Sequence, residues 1–203
     1  MEERARKSFI ADWKVPHHIV RDASFRQRFP ERLDLRWALL LPRDLPYPGS
    51  VESALRKHRC KHVTSEGGRC AGFALGLSRR EPHGLVWYVN AIQSDLAFAP
   101  SSRLRDYLRG WRSALFSVIL SQARAHRAVA VALPPAEAVA KAALWWMSRM
   151  SNGAPASWLN IYDRTASDFS MALEEVALPV NIQVVPRRRR VMHDTFFLKR
   201  LVS

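Results

Sequence analysis

Cysteine is scarce. Cys60 and Cys70 are the two in a chain of 203 residues, too few for a disulfide framework, and two reduced thiols in a reducing, cytoplasmic compartment are the expected state. Long apolar runs are missing as well. No stretch approaches the roughly 20 apolar residues that a membrane-spanning helix needs, and the longest helical candidate carries Arg105, Asp106, Arg109, Arg112 and Arg124. The start, Met1-Glu2-Glu3-Arg4-Ala5-Arg6-Lys7, lacks the apolar stretch of a secretory signal, and Glu2, Glu3 and Asp12 argue against a transit peptide. There is no Ser-His-Asp arrangement, no Walker loop and no dinucleotide fingerprint. Acidic residues are the minority: 18 Asp and Glu stand against 32 Lys and Arg, a formal net charge of +14.

What is present points to a folded chain with an anionic partner. The apolar fraction is 48%, which excludes a disordered polar chain. The length suits one domain with a real core. We read 1–18 as a charged peripheral segment and 19–203 as a single domain. Most of the positive excess is arginine, whose planar five-donor fork suits phosphate. Nucleic acid, a phosphate-rich cofactor and an anionic membrane all fit that excess, and a genome that encodes Arg freely would give it too.

Along the chain, Ile19-Val20 reads as a short first strand, while the Arg-dense residues 23–46 fit helix and strand equally. Pro42, Pro46, Pro48 and Gly49 make a loop, and Ser50 can cap a short helix. Cys60 to Leu77 reads as a hairpin that turns at Glu66-Gly67-Gly68-Arg69 and leaves through Ala71–Leu77. Pro82-His83-Gly84 is a second turn, and Leu85–Ile92 is the clearest strand in the chain. A helix follows, because Leu104, Tyr107, Leu108, Trp111, Leu115, Val118 and Ile119 recur at spacings of three and four. Ala128–Leu133, closed by Pro134-Pro135, reads as a buried strand and 136–150 as a second helix. Trp158–Tyr162 reads as a strand. Thr165 with Asp168 resembles a capping box that opens a helix to about Val176. Val180–Val185 and Val191–Leu201 form a terminal hairpin with Arg187, Arg188, Arg189 and Arg190 at its tip. The alternation predicts an α/β or α+β fold with a central mixed sheet flanked by helices.

That order, with four local stretches, resembles the GNAT superfamily of acyl-coenzyme A-dependent N-acyltransferases. The stretches are Glu66-Gly67-Gly68-Arg69-Cys70-Ala71-Gly72-Phe73, Phe98-Ala99-Pro100, the run from Ala114 through Arg124 to Val129–Leu133, and His193–Leu201. The resemblance implies an acyl-CoA cofactor such as acetyl-CoA, whose pyrophosphate is held by backbone amides of a Gly-rich loop at a helix N-terminus. It assigns that place to Arg109, Gly110, Arg112 and Ser113, with Phe98 beside the cofactor. The sequence departs from the family's loop pattern here, keeping only Gly110 and the small Ser113-Ala114. An unbroken helix from Ser102 through Gly110 is the competing reading, since an interior glycine costs only about 1 kcal/mol. The resemblance also implies a tyrosine acid on the helix after strand five, where this chain has Trp145-Trp146. It implies a carboxylate base near strand four, for which Asp95 is the candidate. As a solvated strand-end residue Asp95 would have no such role.

Other constellations compete. His58, Cys60, His62 and Cys70 are zinc-type ligands without C-x-x-C spacing, so no metal is expected. Arg187–Arg190, with Arg26, Arg28, Arg32, Arg36 and Arg43, could contact RNA or DNA phosphates, or form a solvated tip. Two functions follow: acyl transfer to an amine, including one on a nucleic acid, or a non-catalytic basic module binding nucleic acid or a protein partner. A loop within 101–114 favours the first; unbroken helix favours the second.

Overall fold

The computed structural model describes residues 18–20, 34–41, 49, 69–93, 108–142, 160–182 and 191–201. In chain order its elements are β1 (His18–Val20), β2 (Leu35–Leu41), β3 (Arg69–Glu81), β4 (Gly84–Gln93), α1 (Trp111–Ala125), β5 (Ala130–Leu133), α2 (136–142), α3 (Asn160–Asp168), β6 (Ala172–Ile182) and β7 (Val191–Arg200). The strands hydrogen-bond into one sheet of seven, ordered β1-β2-β3-β4-β5-β7-β6. β1–β2, β5–β7 and β6–β7 are antiparallel and β4–β5 is parallel. The sheet is therefore mixed and the class α+β, as the alternation predicts.

The chain divides into two compact units, with divisions after Leu35 at the start of β2, inside β3 and α1, and at the end of β4. In the first, β1 lies against β2 with Ile19 opposite Leu39. β2 reads Leu-Arg-Trp-Ala-Leu-Leu-Leu and is buried at every residue except Arg36. A continuous apolar run of this kind is what a strand covered on both faces requires. This settles the ambiguous 23–46 region as strand where it is described. Phe73, Leu115, Phe116 and Ile119 add to this unit's core.

The second unit holds the rest of β3 and β4, joined by the turn at Pro82-His83. A two-residue connection permits only an antiparallel hairpin. Gly84 closes it at φ 130, a backbone conformation that side chains rarely adopt, and a β-carbon there would come within 2.6 Å of Val129 Cγ1. β4 and β5 run parallel, with Tyr88 opposite Ala132, so the chain must cross over between them, and α1 lies in that crossover. α1 ends in a left-handed cap. Arg127 sits at φ 56, its N–H bonds the Arg124 carbonyl, and the Ala128 N–H bonds the Ala123 carbonyl, both at 2.9 Å. Asp163 of α3 accepts from the Ala136 N–H at 2.9 Å, tying α3 to the first turn of α2.

Two expectations are corrected. Residues 160–162 are helical, not strand, because Tyr162 turns inward from α3 and is fully buried. Thr165 and Asp168 do not open a helix; they close one. The Thr165 hydroxyl donates back to the Ile161 carbonyl at 2.5 Å, α3 ends at Asp168, and Ala172 onward is strand. The incoming arm of the first hairpin, residues 143–150 of the second helix and Trp145-Trp146 lie outside the described residues. Among the described residues no helix is long and apolar enough to cross a membrane.

Candidate functional site

The segment that separates the two functional readings begins α1. Residues 108–110 form a turn and the helix starts at Trp111. Gly110 sits at φ 97 and its carbonyl accepts from the Ala114 N–H at 3.1 Å, so Gly110 is the cap residue and not an interior one. The Trp111 N–H is turned back to the Leu108 carbonyl at 3.1 Å. The helix therefore does not run on through Gly110, and the unbroken-helix expectation is corrected at that residue. The apolar spacing carries across the break because Leu108 is itself buried.

The geometry leaves a helix N-terminus with an electropositive character. α1 carries no acidic side chain in its first turn, so the helix itself does not neutralise the positive end of its dipole. Arg109 is exposed and Arg112 half-buried beside it. Ser113 is buried, at 6% exposed. Trp111 lies against Gly72 of β3, close to the Gln93 backbone. The structure thus brings Arg109, Gly110, Arg112 and Ser113 together. Asp95, Phe98 and Arg187–Arg190 lie outside the described residues. Among the described residues no group of three or more His, Cys, Asp or Glu could hold a metal ion.

A second polar cluster, on β3, β4 and β6, was not singled out by sequence reasoning. The Tyr88 hydroxyl donates to Glu81 Oε1 at 2.7 Å, and Arg79 pairs with the same carboxylate. The Arg79 guanidinium also lies 4.9 Å from the Tyr88 ring centroid. It donates to the carbonyls of Leu178 at 2.7 Å and Pro179 at 3.2 Å. Those carbonyls belong to a bulge, where the β6–β7 register shifts between Glu175 and Val180, so Arg79 fixes the bulge from the opposite strand pair. Burial, then the bond to Glu81, push the Tyr88 phenol up to about 12, against the opposing pull of Arg79. Tyr88 is a proton holder at neutral pH. Two residues on, Asn90 is 1% exposed and donates through Nδ2 to the Asn181 carbonyl at 3.1 Å. A polar residue inside the apolar run Leu85–Ile92 was the available signal for this cluster.

No protein-family model, no curated protein and no solved structure matches this chain.

Proposed function

We propose that the chain is an acyl-CoA-dependent N-acyltransferase of GNAT-like fold. The observation that carries this reading is the break at Gly110, with a positive-φ glycine delivering the chain into the first turn of α1. The competing non-catalytic module rests on unbroken helix through this segment. The parallel β4–β5 pair with α1 in its crossover supports the same reading.

The fit to an acyl-CoA lies in the donor set. Gly110 has no β-carbon to hold a phosphate away from the backbone, the positive end of the α1 dipole lies beside it, and Arg109 and Arg112 add positive charge. Together with Ser113 they would hold the pyrophosphate. The cofactor, acetyl-CoA or another acyl-CoA, supplies the acyl group activated as a thioester. The chain's own contribution is to position that group against a neutral amine and polarise its carbonyl through backbone N–H groups. Phe98 beside the cofactor and Asp95 as base complete the proposal. The excess of 14 positive charges supports RNA, DNA or a protein as the carrier of the accepting amine, with Arg187–Arg190 as phosphate contacts. The two cysteines support a cytoplasmic location.

Thermal unfolding with and without acetyl-CoA tests the reading. At about 100 times its dissociation constant the cofactor should add roughly 2.7 kcal/mol. Gly110→Glu places a side chain and a negative charge at the phosphate position and should abolish the increment. Unchanged affinity in a folded Gly110→Glu protein would overturn the assignment.

A further inference from the structure

Within the second unit, three strand ends meet at one end of the sheet. The Val129 N–H, just before β5, donates to the Leu85 carbonyl at the start of β4 at 2.8 Å. The Leu201 N–H, just after β7, donates to the Val129 carbonyl at 2.9 Å. The close approach of Gly84 to the Val129 side chain sets His83, in the β3–β4 turn, beside the stretch that enters β5. That stretch, Arg124-Ala125-His126-Arg127, is exposed at every residue, and so is His83. The His126 ring lies 5.5 Å from the ring of Trp87, which is buried on β4.

The helix does not need these guanidiniums as caps. The His126, Arg127 and Ala128 N–H groups already bond the Gln122, Arg124 and Ala123 carbonyls, each at 2.9 Å. Arg127 stands at φ 56, a position that ordinarily falls to glycine in a left-handed cap. An arginine there carries a conformational cost that glycine would not, and an outlier of that kind points to a use for the side chain. No carboxylate neutralises the stretch. The sequence has no Asp or Glu between Asp106 and Glu137, and among the described residues neither Arg124 nor Arg127 has an acidic partner. Glu81, two residues before His83, is bonded by Arg79 and Tyr88. Glu174 is bonded by Arg200, the residue opposite Ala130.

We infer that this end of the sheet is a contact surface for a single-stranded nucleic acid, with Arg124 and Arg127 on phosphates and the His126 ring, set against Trp87, as a platform for an unpaired base. Guanidinium forks suit phosphate oxygens. A ring already held against a buried neighbour loses little freedom when a base stacks on it. A duplex offers phosphates but no free base face, so the ring selects the single strand. His83 adds an N–H donor beside the stretch. The inference rests on the part of the proposed function that makes a nucleic acid the carrier of the amine. It uses neither Gly110 nor Arg187–Arg190.

The test is fluorescence anisotropy of the full-length chain with labelled oligo(U), oligo(dT) and a DNA duplex of equal length, at rising salt. The single strands should bind more tightly than the duplex, and the two of them tell RNA from DNA. Arg124→Ser and Arg127→Gly should each reduce the salt slope by about 0.7, as loss of one phosphate contact on a single strand implies. Arg127→Gly should do so without lowering the urea midpoint, because glycine suits the left-handed cap; an arginine held for structure alone would not give that split. His126→Ala should weaken single-strand binding about tenfold and His126→Phe should restore it. Unchanged salt slopes in folded Arg124→Ser and Arg127→Gly would overturn the proposal, as would a duplex bound as tightly as the single strands. Binding lost only when Arg187–Arg190 are replaced by Ser would put the contact there and overturn it too. In each of those cases the unaltered chain still binds nucleic acid, so the carrier reading stands while this surface fails. No binding at low salt fails both, and thermal unfolding with acetyl-CoA reports on the cofactor separately.

Discussion

Gly72 and Trp111 exclude one another's volume: a β-carbon at Gly72 would stand where the six-membered ring of the Trp111 indole lies, and 3.2 Å from the Gln93 carbonyl. A strand residue is thus bare so that the first residue of α1 can lie on it. Gly72→Ala should displace the indole and cost roughly 1–3 kcal/mol, the range for overpacking a close-packed site. Trp111→Leu in the same chain should recover part of that loss, because neighbours that share a contact are not additive. Urea unfolding of the two single variants and the double variant measures the coupling. Strict additivity would show that the two residues do not meet.

Arg79 ties β3 to the β6 bulge and is the cation paired with the nearly buried Glu81 carboxylate, whose side chain is 10% exposed. Arg79→Met strands that carboxylate and frees two carbonyls, with an expected loss of roughly 2 kcal/mol. Adding Glu81→Gln removes the stranded charge and should restore more than half of it. Amide exchange across 176–180 should accelerate in Arg79→Met. Unaltered exchange there would mean that the bulge holds its shape without the guanidinium.

Burial pushes the Tyr162 phenol from the ordinary 10 up to about 12, the Ile92 N–H that bonds its oxygen opposing the shift. The folded state therefore keeps this proton when the unfolded chain has lost it. Stability is complete below pH 10, falls between pH 10 and 12 and is flat above, by about 3 kcal/mol for a change of two units. Tyr88 titrates in the same window. Tyr162→Phe should make the alkaline decline visibly shallower while lowering stability at pH 7 through the orphaned Ile92 N–H. Denaturant midpoints at pH 9 and pH 11 decide it, and an identical decline in both proteins would remove Tyr162 from the account.

The positive excess carries a prediction of its own. Binding to RNA or DNA should weaken steeply as salt rises, since neutralising phosphates releases counterions. Replacing Arg187, Arg188, Arg189 and Arg190 by Ser should weaken it further and flatten the salt slope, with slight dependence on base sequence. Anisotropy titrations at low and moderate salt give both slopes. Absence of binding at low salt would leave the arginines as a solvated turn.

The parts of the fold legible in the sequence are those where local preference and burial agree. Leu85–Ile92 and Ala71–Leu77 are β-favouring and buried, and both are strands. The misreadings fall where they disagree. Ala172-Leu173-Glu174-Glu175 is rich in helix formers yet lies in β6, because pairing with β7 outweighs propensity. Ile161 and Tyr162 favour strands yet belong to α3, whose inward face buries Tyr162, Thr165 and Ala166. At the site, spacing could not reveal the break at Gly110, since Leu108 and Leu115 keep helical phase on either side of it. Asn90 was visible as a polar residue in an apolar strand, but its bond to the Asn181 carbonyl is a property of the β6 backbone, 91 residues away.

The sheet order also sets a timetable for synthesis. In the ladder β6 pairs with β7, which joins it to β5, so a ribosome that has finished residues 172–182 has made a strand whose ladder partner does not yet exist. Its ladder N–H and C=O groups stay unpaired until Val191–Arg200 emerges, pairs with β5 and presents its other edge. The ladder of β6 can therefore close only after β7 has been made. A chain stalled before residue 191 would carry an unpaired strand edge that chaperones and proteases can recognise.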